Sequence, residues 1–127
     1  MPNYDASHFD PPAPVVLVTL RHPHIGATIS DVPLLLDTGA DVTMLPRAAV
    51  ERLGVPVLGD QQYELRGFDG SKSFASVVML DMIFLRRAFR GRYLLTEEEY
   101  GILGRDILNY VLVLLDGPKQ LWSEHSP

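Results

Sequence analysis

A chain of 127 residues, 46% hydrophobic and 21% charged, is one domain's worth of ordinary globular composition, which excludes wholesale disorder. Its formal charge of −5, from 11 basic against 16 acidic residues, leaves basic clustering only at Arg86, Arg87, Arg90 and Arg92, so a nucleic-acid backbone is not an expected partner. The absence of cysteine excludes a disulfide framework and thiolate chemistry, the short apolar runs exclude a membrane-spanning helix, and the polar start carries no export signal, so the expected setting is cytoplasmic.

In chain order, Pro2, Pro11, Pro12 and Pro14 deny the first residues the donors and angles of regular structure, so 1–13 reads as an extended arm. Residues 15–21 read as a strand ended by His22-Pro23-His24, with 25–30 as its hairpin partner and Pro33 opening a further strand over 34–37. A short strand over 42–45 follows, then one short helix opened by Pro46 and closed by Gly54. Strands are expected over 63–68 and 73–79, flanking the turn dipeptide Asp69-Gly70, and again over 82–85 and 93–95, joined by an arginine-bearing segment. Glu97 to Glu99 reads as a solvated acidic turn. Ile102-Leu103 is a brief strand before a helical turn from Arg105, and 111–115 is a strong strand turned by Asp116-Gly117-Pro118 into an edge strand over 120–122. The expected layout is an arm over 1–13, a domain over 14–122 and a polar tail over 123–127.

One stretch stands apart from this all-β reading. Leu34-Leu35-Leu36 runs directly into Asp37-Thr38-Gly39-Ala40-Asp41, so a buried strand ends by pushing a carboxylate into a tight turn. Burying that acid costs several kcal/mol unless its charge is hydrogen-bonded or shared, and Thr38 and Gly39 supply a hydroxyl and an unobstructed N–H. A strand period of two puts Leu35 and Asp37 on one face and Leu34 and Leu36 on the other.

Asp37-Thr38-Gly39-Ala40-Asp41, answered later by Ile102-Leu103-Gly104-Arg105-Asp106, resembles the paired signature of the retropepsin-like aspartic proteases of clan AA. The stretch from Ile102 to Asn109 with Asp116-Gly117-Pro118 resembles small bacterial members more than viral ones. The resemblance implies a single-lobe acid-protease β-barrel with one or two short helices, active as a two-fold homodimer on polypeptide and needing no cofactor or metal. Asp37 is implied as the catalytic carboxylate, Thr38 as a brace across the dimer axis, and Gly39 as the point where substrate backbone approaches. Ala40 and Gly104 are implied as active-site support, together with an ion pair between Asp41 and Arg105. Leu35 and Ile102 are implied as pocket walls for apolar substrate side chains, and the segment 66–72, with Gly67, Phe68, Asp69 and Gly70 at its tip, as a flap over an extended peptide.

The flap and the ends depart from the retroviral pattern. The tip has only two glycines around Phe68 and Asp69, and the chain starts proline-rich and ends polar. A single Asp-Thr-Gly in the chain requires two copies if two carboxylates are to share the work of acid and base. Two competing readings exist: a metal pair at His22 and His24, for which further ligands lack a recognisable spacing, and a retropepsin-fold peptide-binding or dimerisation module without catalysis.

Overall fold

The computed structural model describes residues 2–59, 62–66 and 69–125. Its strands are β1 (Val15–Arg21), β2 (Thr28–Leu36), β3 (Met44–Pro46), β4 (Gln62–Arg66), β5 (Lys72–Phe84), β6 (Arg87–Thr96), β7 (Gly101–Leu103), β8 (Val113–Asp116) and β9 (Leu121–Glu124). The sheet runs β1-β2-β7-β3-β6-β5, and pairing of β1 with β5 closes these six strands into a barrel. β4 extends β5 as a hairpin, and β8 with β9 forms a separate two-stranded sheet.

Among the described residues two short helices complete the fold. α1 (Arg47–Leu53) starts after Pro46, whose fixed φ suits a helix entrance, and stops at Gly54, whose φ of 82° lets its N–H close on the carbonyls of Val50 and Glu51. Val50 and Leu53 are its buried face. α2 (Arg105–Leu108) is a single turn that buries Ile107. No helix among the described residues is long and apolar enough to cross a membrane.

The core is built from one face of each barrel strand. Val16, Val18 and Leu20 of β1, Leu34 of β2, Leu45 of β3, Val78, Leu80 and Met82 of β5 and Leu103 of β7 are essentially fully buried; each such side chain contributes roughly 1.5–3 kcal/mol by leaving water. Trp122 of β9 joins them, its Nε1 donating to the Val15 carbonyl at 3.2 Å and its ring tilted on Phe84. This contact fastens the outer hairpin to the barrel wall.

Several expected boundaries move. Residues 25–30 and 34–37 are not two strands: β2 runs from Thr28 through Pro33 to Leu36, with Asp31 at a φ of 60° and a register shift opposite Val18 to Leu20. A bulge of this kind absorbs one extra residue, so the chain keeps its pairing across an irregular sequence. The two strands expected at 73–79 and 82–85 are one, β5, which continues through Leu80 and Asp81. The arginine-bearing segment is the first half of β6, reached through a two-residue turn in which Leu85 and Arg86 take φ of 52° and 63°. That turn asks for the backbone freedom of glycine or asparagine and receives neither. The expected arm folds back on itself through the Asp5–Ala13 bridge and reaches β9 through Asn3–Leu121. Ser123 and Glu124, expected in the tail, lie in β9.

Asp81 explains why β5 is continuous. Its side chain is buried, and two arginines from the neighbouring strands converge on it: Arg90 Nε donates to Oδ1 at 2.8 Å, and Arg21 Nη2 lies 3.1 Å from Oδ2. Hydrogen bonding from Arg90, ahead of the opposing cost of burial, and then from Arg21, holds its carboxyl below the ordinary value of 3.8. A carboxylate whose pKa is lower folded than unfolded adds stability above the unfolded value and loses it as pH falls through the folded one. Both arginines keep water access, so the loss on removing the charge falls below that of a fully buried pair. Asp81→Asn is therefore expected to lower the unfolding free energy by about 1–3 kcal/mol at neutral pH, measured by urea titration, with the difference from wild type shrinking as the pH is taken below 3.8.

Candidate active site

The site is assembled by parallel pairing of β2 with β7, which sets Leu34 against Gly101, Leu35 against Ile102 and Leu36 against Leu103. Both strands end here, and the Asp37 N–H donates to the Leu103 carbonyl at 3.0 Å. The first motif thus leaves the barrel exactly where the second does so, and the Gly104 and Asp37 turns lie side by side.

Within the first turn, Gly39 N–H donates to Asp37 Oδ1 at 2.9 Å and Ala40 N–H to the Asp37 carbonyl at 3.3 Å. Asp37 is half-buried, while Thr38 and Gly39 are exposed. The carboxylate is oriented by its own loop and still meets solvent. As the strand period requires, Leu34 and Leu36 are buried behind it and Leu35 is half-exposed on the opposite face.

Five hydrogen bonds lock the two turns together. The Arg105 N–H donates to the Ala40 carbonyl at 2.9 Å, and its Nη1 to the Thr38 carbonyl at 2.7 Å. Thr43, almost fully buried, donates from Oγ1 to Asp106 Oδ1 at 2.6 Å and from its N–H to Oδ2 at 3.0 Å. The same Oγ1 accepts the Gly104 N–H at 3.0 Å. Gly104 is needed for this approach, because a Cβ there would lie 2.6 Å from the Val42 carbonyl oxygen and 3.0 Å from that of Ala40. Its φ of −95° is ordinary, so the demand is for space.

The ion pair expected between Asp41 and Arg105 does not form within the chain. Asp41 is exposed and the ion pairs of the described residues do not include it. Arg105 sits at the base of the turn and serves its carbonyls, leaving the Asp41 carboxylate to water. Thr43 and Asp106 carry the cross-link and were not singled out from sequence. The available signal was a threonine inside the apolar run Val42 to Leu45 and an acid immediately after Arg105.

Leu35 and Ile102 are paired across β2 and β7 and line one cavity of about 400 Å³. Of the expected flap, Gly67 and Phe68 lie outside the described residues. Its flanks pair as Arg66 with Lys72, and Asp69 accepts the Ser71 N–H at 2.9 Å. Hydrogen bonding from the Ser71 side chain and then its backbone keeps the Asp69 carboxyl below its ordinary value, so this acid is held in its own turn. His22 and His24 share a turn in which the His24 N–H donates to His22 Nδ1 at 3.1 Å; among the described residues no group of three or more His, Asp or Glu is placed to hold a metal.

The family model described as aspartyl protease matches residues 25–107, which contain both motifs and every contact of this lock. The chain belongs to the aspartyl protease family. Among solved structures it is similar to EIAV protease complexed with the inhibitor HBY-793, with a TM-score of 0.57 and 24% identity over 86% of this chain and 93% of that one. That likeness supports a shared retropepsin-like barrel. A search of curated proteins gives no match.

Thr43→Val keeps the shape of the side chain, removes one acceptor from a buried N–H and one donor from Asp106, and is expected to cost about 1–3 kcal/mol. Thermal or urea unfolding checks this, with Thr43→Ser, which keeps the hydroxyl, expected to recover most of the loss.

Proposed function

We propose that the protein is an aspartic endopeptidase whose catalytic pair is made by Asp37 of two copies meeting across a two-fold axis. The observation that carries this is the state of the acids around the turn. Asp106 has both oxygens engaged by Thr43, whereas Asp37 has one oxygen held by Gly39 and the other without a hydrogen bond among the described residues. Asp41, the other acid of the turn, is exposed and lies beyond the β2–β7 junction. One chain therefore presents Asp37 alone as a half-buried acid with an uncommitted oxygen at that junction, and the family fold supports the two-fold solution.

In that dimer the two carboxylates lie close together and share one proton. The ionised member takes a proton from a water that attacks the scissile carbonyl carbon; the protonated member gives its proton to the carbonyl oxygen. Collapse of the tetrahedral species breaks the C–N bond as the acid that took the water's proton protonates the departing amine and the other carboxylate takes a proton from a diol hydroxyl, so the pair returns with one proton between them. Thr38 is exposed beside Asp37, which suits a brace between the two loops, and its carbonyl is already fixed by Arg105. The β4–β5 hairpin is the flap of this reading, and an extended peptide lies beneath it as an added strand.

Asp37→Asn is expected to abolish cleavage of a peptide pool between about pH 4 and 7 while leaving the unfolding transition in place, since the Asn side-chain oxygen still accepts from Gly39. Cleavage that persists in the pure variant refutes the assignment. Specific activity is also expected to fall on dilution as the dimer dissociates, in step with the molecular mass seen by sedimentation; turnover by a demonstrated monomer would rule out the shared pair.

A further inference from the structure

The cavity that holds Leu35 and Ile102 has a wall that the two motifs do not supply. His8 and Phe9 of the N-terminal arm line it together with Tyr100. The Phe9 ring meets the Tyr100 ring edge-on at 5.3 Å between centroids, and the His8 ring lies 5.1 Å from it. These residues come from distant parts of the chain, and the arm is placed there by specific contacts.

The placement is built in three steps. The Asp5–Ala13 bridge, with its N–H groups donating at 2.8 and 3.2 Å, closes 5–13 into a loop. The Tyr4 N–H donates to the Gln120 carbonyl at 2.8 Å and ties the root of the loop beside β9. The tip is then latched: Tyr100 Oη donates to Asp5 Oδ2 at 2.9 Å and lies 2.8 Å from His8 Nδ1, while the Ser7 and His8 N–H groups both donate to Asp5 Oδ1 at 2.9 Å. An arm that only covered core would leave no cavity beneath it. Here half-buried Phe9 faces an open space of about 400 Å³ whose floor is the expected substrate contact.

Resting on the endopeptidase reading, we propose that the arm, through Phe9 and His8, forms a wall of the pocket that receives a substrate side chain beside the scissile bond, and that this wall sets its preference. The floor of Leu35 and Ile102 and the rings of Phe9 and Tyr100 suit a large apolar side chain, which gains by burial. Glu98 and Glu99 at the same cavity disfavour an acidic one by like-charge repulsion. Phe9 is thus a specificity-determining residue, and Asp5 a positioning residue that acts through the latch.

The test compares wild type, Phe9→Ala and Phe9→Trp in two readouts: the residues flanking cuts in a diverse peptide pool, and calorimetric affinity for a reduced-amide peptide carrying Leu beside the isostere against the same peptide carrying Ala. Wild type is expected to favour Leu in both. Phe9→Ala is expected to lower the Leu-to-Ala ratio about tenfold, the scale of a few lost methylene contacts in an apolar pocket. Phe9→Trp, which fills the space, shifts it the same way by penalising Leu, yet raises the relative affinity for Ala above that of Phe9→Ala. Asp5→Ala is expected to lower the ratio less, with Asp5→Asn, which keeps an acceptor for the Ser7 and His8 N–H groups, recovering part of it. Ratios unchanged in every variant overturn the wall. If wild type cuts nothing but its Leu preference in binding disappears in Phe9→Ala, the wall stands and the hydrolase reading fails; if wild type cuts and the cut-site preference is the same in Phe9→Ala, the wall fails alone.

Discussion

The structure depends on a parallel pairing three residues long. β2 and β7 are distant in sequence, yet Leu34, Leu35 and Leu36 lie in register with Gly101, Ile102 and Leu103, and the pairing ends with the Asp37 N–H on the Leu103 carbonyl. Parallel neighbours need a long crossover between them, and here almost the whole barrel, from β3 to β6, serves as that crossover. Gly101 makes the close approach possible, since a Cβ there would collide with the Met44 carbonyl and the Leu34 side chain. The joining of β2 to β7 within the barrel and the meeting of the two motifs are thus one event.

What the pairing brings together, Thr43 and Arg105 hold. A buried hydroxyl that donates to Asp106 and accepts from Gly104 satisfies three polar groups with one atom, where any of them alone would carry a desolvation cost. Arg105 adds two hydrogen bonds to the carbonyls of Thr38 and Ala40. The loop that presents Asp37 is short and glycine-containing, so its rigidity comes from these cross-links to the second motif.

The sequence made the architecture legible wherever local chemistry and tertiary context agreed. Pro46 and Gly54 bracket α1, Asp116-Gly117-Pro118 turns β8 into β9, and the leucines before Asp37 separate into buried and half-exposed faces as their period requires. It misled where a remote partner cancels a local signal. Asp81 reads as a break in a strand until Arg21 and Arg90 are placed on it, and Leu85-Arg86 lacks the residues of a tight turn although the flanking pairing imposes one. Asp41 and Arg105 pair well on paper, but the Arg105 guanidinium reaches the Thr38 carbonyl instead.

The acids of the chain sort by what surrounds them. Asp81 is committed to two arginines, Asp106 to Thr43, and Asp5 to two backbone amides and Tyr100, which with its other contacts bring its carboxyl down to about 2. In each case the oxygens are taken up by donors whose loss would unfasten part of the fold, so these carboxylates act as structural joints. Asp37 has a single internal donor, the Gly39 N–H, and no ion pair among the described residues. It stands at the end of the β2–β7 pairing, half-open to solvent, with one oxygen uncommitted. Its free oxygen can meet a second carboxylate without displacing a hydrogen bond the fold uses, whereas recruiting Asp81, Asp106 or Asp5 would first have to break a joint.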